Sequence, residues 1–425
     1  MMDKLSYPSL GETLVTGTLP NGLRILVVPK PGFRRSHAIF AARYGGADRR
    51  FRLGDRWIET PAGVAHFLEH KMFDMPDGRN VLAELSSRGA SPNAYTGSSV
   101  TGYHFTCTED FYANLDTLLT YVSTPWYTEE SVRKEQGIIG QEIRMYENDP
   151  GSVGYHRLME ILYEHHPVRE NVAGTVESIA EITPETLYNC HKVFYNPSNM
   201  VLCCVGDVDP EAVAAAAERI LPSEPGERPG RDYGAPEPPL PREHRIERQM
   251  EVSLPIFYIG AKLSAPESGT ERLRFRLLAE LALDELAGPS SGLYNELYAQ
   301  GLLSRDFGFE VDDAAGTMTV LMAGESRDPE AVADALSERV ERIARRGMDA
   351  AAFERCRRAR YGLELGGLDR FSGYAGALYR GCMDGWNALD VFELLQGLTA
   401  EDAAAFLHAN LTADRTAMSV VRPAD

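Results

Sequence analysis

His66-Phe67-Leu68-Glu69-His70 sets two imidazoles four residues apart with a carboxylate beside the second. On a helix that spacing brings His66 and His70 one turn apart on one face. Imidazoles so placed can hold one Zn2+ through ring nitrogens at about 2.0–2.1 Å. Glu69 can reach a water next to such an ion without being a ligand, so it reads as the general base of a hydrolysis. Val64, Ala65, Phe67, Leu68, Met72 and Phe73 make this turn largely apolar. An unpartnered polar triplet buried among them would be costly, and a metal ion removes that cost.

A catalytic zinc takes a third protein ligand and leaves its fourth position to water. A long helix is expected from Thr128 to about Met145, with Glu129 and Glu130 in the first turn complementing its dipole. It offers Glu135, Glu142 and Glu147. Glu135 and Glu142 are two turns apart and share a face to within about 20°. That face is expected to carry Val132, Ile138, Ile139 and Met145 inward, whereas Glu147 falls about 140° beyond Glu142 and reads as solvated. Glu142 is the expected third ligand and Glu135 the residue that orients a ligating histidine.

The elements that must position these groups are legible around them. Leu19-Pro20-Asn21-Gly22 reads as a turn before a strand from Leu23 to Val28, and His37 to Tyr44 is a second apolar run. Thr60-Pro61 reads as the N-cap and first residue of the helix that carries His66, His70 and Phe73. Gly102 to Cys107 has strand propensity. From Pro222 to Arg242 repeated prolines interleave with Gly and Glu, which excludes helix and central strand and marks a linker.

The two sides of that linker repeat. Ile182-Thr183-Pro184-Glu185 leads through a helix to an apolar strand at Met200, and Leu398-Thr399-Ala400-Glu401 leads through a helix to one at Met418. Two related α+β domains in tandem follow, a zinc-binding domain over 1–225 and a homologous one over 245–425, joined by the linker 226–244. The second has no His-x-x-Glu-His motif, so one zinc per chain is expected, in the first.

Composition bounds the function. The 425 residues fit two domains. A net charge of −19 argues against a nucleic-acid partner. No apolar run approaches the roughly 18–20 residues of a membrane span, and the start of the chain lacks a secretory pattern. Cys107, Cys190, Cys203, Cys204, Cys356 and Cys382 show no disulfide spacing, and a reducing cytoplasm is expected.

Taken in order, Leu19-Pro20-Asn21-Gly22-Leu23, Gly63 to Phe73, Asn93-Ala94-Tyr95-Thr96, Glu135 to Ile143, Ala173-Gly174-Thr175, Phe194 to Met200 and Val205-Gly206-Asp207 resemble the pitrilysin, insulin-degrading enzyme and mitochondrial processing peptidase family. These are inverted-motif zinc peptidases, and the bacterial YmfH-type branch is the nearest in pattern. The resemblance implies mostly antiparallel sheets packed with helices, two such domains forming half of a clamshell. It implies an endopeptidase acting on peptides or unfolded segments enclosed in a chamber, with His66, His70 and Glu142 on zinc, Glu69 as base and Glu135 behind the ligands. Asn93 and Ala94 match the edge strand on which an extended peptide adds by β-augmentation. A homodimer, or a heterodimer with a related peptidase-like subunit, is implied as well. The region Arg305 to Val311 lacks the Arg-and-Tyr arrangement with which the metal-free half of active relatives contacts substrate. The alternative is a non-catalytic or partner-dependent subunit.

Other features read as structure. Gly366, Gly367, Gly373, Gly376 and Gly381 lack the ending and setting of a phosphate loop. His165-His166 precedes a proline and reads as loop, and Arg355, Arg357, Arg358 and Arg360 read as a solvated helix face.

Overall fold

The computed structural model describes residues 2–424. They form two compact units, 1–143 with 171–233 and 365–388, and 144–170 with 234–364 and 389–425. One crossing, between Tyr233 and Gly234, falls inside the linker expected at 226–244. The units differ from the contiguous domains expected at 1–225 and 245–425, because each includes a helix from the other's stretch of chain.

In the first unit the strands are β1 (Asp3–Tyr7), β2 (Glu12–Thr18), β3 (Arg24–Pro29), β4 (Ser36–Ala42), a hairpin of β5 (Arg50–Leu53) and β6 (Arg56–Glu59), β7 (Ser91–Thr96), β8 (Thr101–Cys107), β9 (Met200–Gly206) and the short β10 (Arg231–Asp232). Seven of them make one sheet in the order β1-β2-β3-β9-β4-β8-β7, and β10-β5-β6 make a small second one. Only β3 and β9 pair in parallel within the large sheet. Every residue of β4 and β9 is buried, as expected for central strands covered on both faces. Ala38, Phe40 and Ala42 of β4 face one way into the main core with Leu202 and Cys204 of β9. The opposite face is covered by the helix Phe371–Asp384, which packs on β9 and β4.

The second unit's sheet joins β11 (Arg245–Met250), β12 (Ile256–Lys262), β13 (Gly308–Ala314), β14 (Thr317–Glu325) and β15 (Thr416–Pro423) in the order β11-β15-β12-β14-β13. The β11–β15 pair is parallel and the others antiparallel. This is the order and sense of β3-β9-β4-β8-β7, so the repeat read from sequence is a repeat of topology. The correspondence extends to the covering helix, since Pro150–Leu162 packs on β12, β15 and β11. Thr183 and Thr399 each cap the helix that leads to the strand, accepting from Thr186 N and Asp402 N. Such a cap contributes about 1 kcal/mol.

The helix carrying the histidines is shorter than expected. It runs Val64–Lys71, not from Pro61, and Gly63 at its start has φ 94°. A side chain at Gly63 would put its Cβ 2.5 Å from the Ala173 carbonyl oxygen. The close approach of the Ala173 loop therefore sets where the helix begins.

Candidate metal centre

Two helices of the first unit build the site. In Val64–Lys71, Val64, Phe67 and Leu68 are buried and fix the turn to the core, which aims His66 and His70 off the opposite side. Their ring centroids are 4.6 Å apart in an edge-on arrangement. The long helix spans Glu129–Glu147 and buries Val132, Ile139 and Ile143. The expected inward stripe is corrected here, because Ile138 is 47% and Met145 59% exposed. With the core line running through Val132, Ile139 and Ile143, Glu135 and Glu142 lie about 60–80° to one side of it. Ile138 and Met145 lie further round the same side, past the edge of the core. The two glutamates thus occupy the margin between core and solvent, where a carboxylate can be half-buried and still meet the histidine helix.

His66 Nε2 lies 3.7 Å from Glu142 Oε1 and His70 Nε2 lies 3.7 Å from Glu142 Oε2. One donor atom from each of His66, His70 and Glu142 falls within 4.8 Å of the others, and among the described residues this is the one such group of three. These distances test the fit of an ion. An imidazole and a carboxylate in direct hydrogen bond would close to about 2.7–3.2 Å. Ligands at about 2.0–2.1 Å around a tetrahedral zinc sit roughly 3.4 Å apart. The observed gaps match a shared ion better than a hydrogen-bonded triad, and the donor set, two imidazoles and one carboxylate, is one that zinc takes.

Glu135 is behind the cluster. Its Oε1 is 3.0 Å from His70 Nδ1, which holds the Nδ1 proton there and leaves the Nε2 lone pair facing His66 and Glu142. Burial opposes charge on His70, yet the Glu135 hydrogen bond and the charges of Glu135, Glu69 and Glu142 outweigh it and raise its pKa. Burial would raise the Glu135 carboxyl, but the bond to His70 and its charge win and lower it. His66 has no such partner for its buried Nδ1. Burial and the neighbouring His70 lower it to about 4, so it is neutral and lone-pair-bearing near pH 7.

Glu69 is 8% exposed and accepts a hydrogen bond from the Thr96 hydroxyl at Oε2, 2.7 Å. Burial pushes its carboxyl up, with the Thr96 bond and His70 opposing. Thr96 is the residue that sequence reasoning left without a role. The signal was its position two residues after Ala94, which on a strand gives both the same face. Asn93 and Ala94 lie on β7, the edge strand of the large sheet, pairing with His104 and Tyr103 of β8. Ala94 packs against the core under the histidine helix. Glu147 is exposed at the end of its helix and outside the metal-ligand group.

The remaining sequence features lie apart from the cluster. Cys203 and Cys204 are buried in β9 and all six cysteines are free. His166 is buried, its Nδ1 accepting from Val168 N and its Nε2 3.1 Å from the Ala315 carbonyl oxygen. Gly366 and Gly367 close the helix Ala350–Gly367. Of the arginines on that helix, Arg357 and Arg358 pair with Glu354 on its surface, while Arg360 departs from a solvated role by bonding Glu280.

Known proteins match this chain along its length. The family model for insulinase (peptidase family M16) matches residues 58–176, and that for the peptidase M16 inactive domain matches residues 181–360. The uncharacterised zinc protease YmfH of Bacillus subtilis strain 168 is 36% identical over 436 residues, with 100% of both chains covered. An M16-like peptidase from Alicyclobacillus acidocaldarius has a crystal structure matching at TM-score 0.93 and 34% identity, over 99% of this chain and 100% of that one. The ferredoxin protease FusC, solved in complex with Arabidopsis ferredoxin, shares the fold at TM-score 0.70 and 19% identity, over 97% of this chain and 48% of that one. With two family models side by side on the chain and relatives 36% and 34% identical along its full length, the chain belongs to peptidase family M16.

Proposed function

We propose that this chain is a zinc-dependent endopeptidase, with His66, His70 and Glu142 as the metal ligands and Glu69 as the general base. The observation that carries the reading is the convergence of those three donors beside a buried, oriented carboxylate. Zinc bound there would supply Lewis acidity toward a peptide carbonyl and a water. The protein groups do the rest. Glu69 has Oε2 engaged by Thr96, so Oε1 is the atom offered to a water proton. The water oxygen bonds to the scissile carbonyl carbon as Glu69 takes its proton. When the C–N bond breaks, the same proton passes from Glu69 to the departing amine nitrogen. Burial, which raises the Glu69 carboxyl, favours a base that can hold a proton between those two steps. Asn93 and Ala94 lie on the edge strand β7, where an extended peptide would add in place of the 2.9 Å bond that the Ala94 N–H now makes to Asn93 Oδ1.

The chain covers 48% of the FusC chain, which supports half of a two-part enclosure completed by a second copy or a related subunit. Glu69→Gln protein should keep one zinc by metal analysis and lose hydrolysis of a quenched peptide by at least about 100-fold. Retained turnover in that variant would remove Glu69 from the role, and absence of turnover in the zinc-loaded parent protein, alone and mixed with a related subunit, would favour the non-catalytic alternative.

A further inference from the structure

The edge strand β7 presents its side chains to two different surroundings. Ala94 and Thr96 face the histidine helix, as the bond from Thr96 to Glu69 requires. Tyr95 faces the other way, and its hydroxyl is hydrogen-bonded to the Tyr379 hydroxyl on the helix Phe371–Asp384. A peptide strand added to β7 lies about 4.8 Å further out and alternates in the same manner. Every second side chain of that peptide therefore points toward the Phe371–Asp384 side of the sheet.

Arg380 waits on that side. Its guanidinium carbon is 5.5 Å from the centroid of the Tyr379 ring, and Tyr379 is fully buried, so the stack holds the arginine beside Tyr95. Arg380 itself is exposed. Among the described residues it forms no ion pair with a carboxylate, which is notable in a chain with 62 acidic side chains. Its charged neighbours on the same helix do not offset it. Asp384 at the helix end lies 3.8 Å from Arg43, and Arg24 donates to the Cys382 carbonyl oxygen. The contacts of the last turns of this helix thus pair its one aspartate with Arg43 and bring in a second arginine, and leave the Arg380 charge uncancelled.

We propose, on the basis of the peptidase reading above, that Arg380 is a specificity-determining residue that binds a carboxylate of the peptide laid along β7. The side-chain alternation assigns that carboxylate to an Asp or Glu on the face shared with Tyr95. A terminal carboxylate has the same chemistry, and the test separates the two. A guanidinium fixed by a ring stack meets a carboxylate in its planar fork with little further ordering. A lysine in the same peptide position would be repelled.

Quenched peptides that differ at one position, Glu, Gln or Lys, each made as free acid and as C-terminal amide, provide the test. Zinc-loaded protein should prefer Glu over Lys by about tenfold in kcat/KM, free or amidated. Arg380→Lys should keep the direction of that preference, and Arg380→Glu should invert it in favour of Lys, which an unfolded or loosened variant could not do. The same ranking is read as binding affinity on Glu69→Gln protein, so the proposal is tested even where turnover is absent. Equal handling of Glu and Lys by the parent protein, an unchanged ranking in Arg380→Glu, or a preference that disappears on amidation would each overturn it. Loss of all turnover with the ranking preserved in binding would instead count against the peptidase reading alone.

Discussion

Removing Glu135 should weaken zinc binding without removing a ligand, and the structure sets how much. Glu135 Oε1 accepts from His70 Nδ1 at 3.0 Å, with the two side chains 15% and 27% exposed. A partly solvated charge-assisted bond of this kind contributes about 1.5–3 kcal/mol, and outer partners of metal-bound histidines typically change affinity about 10–100-fold. Exposure places the expectation at the lower end, roughly 10–30-fold for Glu135→Ala. Glu135→Gln retains an acceptor and the His70 tautomer but loses the charge, so its loss should be about half of that in free energy. Competition with a chromophoric chelator at one fixed pH measures both variants against the parent protein. Glu147→Ala, on an exposed side chain outside the cluster, is the control and should change affinity less than twofold. Equal zinc affinity in Glu135→Ala and the parent, or a loss in Glu147→Ala as large, would refute the orientation of His70 by Glu135.

Thr96→Val removes the hydrogen bond to Glu69 Oε2. It should lower kcat about tenfold, a transition-state cost of about 1.4 kcal/mol, with zinc content unchanged and Thr96→Ser restoring most of the rate. A change confined to KM would show that Thr96 serves the substrate strand instead. Stability should depend on pH through His37, which burial and the nearby His104 lower from 6.5 to about 3. A depressed imidazole leaves the unfolded chain binding the extra proton first. Its contribution is therefore complete above about pH 6.5, falls as pH drops toward 3, and amounts to several kcal/mol at about 1.4 per unit. Urea midpoints of the zinc-free protein from pH 7 to 4 should fall less steeply in His37→Gln; the same slope in both would contradict the buried neutral imidazole.

How far the sequence carried the fold depended on the range of the interaction. The His66–Glu69–His70 turn is local, since helix spacing alone fixes which groups share a face. Glu142 lies in a different helix, but its separation of two turns from Glu135 left only a few arrangements. The exposed Ile138 and Met145 were misassigned because a hydrophobic stripe cannot say which apolar residues its margin excludes. That depends on where the neighbouring helix lies, and here the Ala173 loop, pressing on Gly63, holds its start to Val64. The helix Phe371–Asp384 was beyond reach for a different reason. Its partners, β4 and β9, lie far away in the chain, and amphipathic pattern reveals that a face is covered but not by what. Strand alternation puts Thr96 on the face of Ala94 but does not say which group its hydroxyl meets there, and Glu69 lies on a helix far away in the chain.

The repeat also explains what the metal-free half puts where the ligands would be. In the second unit the helix that follows β12, Gly269–Ala287, occupies the place that Val64–Lys71 takes after β4, and Ala350–Gly367 occupies that of the long glutamate helix. The first pair of helices meets through His66, His70, Glu135 and Glu142. The second pair meets through Glu280 and Arg360, whose Oε2 and guanidinium nitrogen are 2.7 Å apart. Burial pushes the Glu280 carboxyl up while Arg360 pulls it down, the same opposition that governs Glu135 and His70. The partners are exchanged between the two helices, with the carboxylate on the first helix of the second copy and on the second helix of the first, but a deep carboxylate at this contact needs a cation in both. On the proposed peptidase reading one copy takes that cation from solution as a metal, and the other carries it permanently as a guanidinium. Chemistry at the first site thus rests on a helix contact that the second copy keeps for structure.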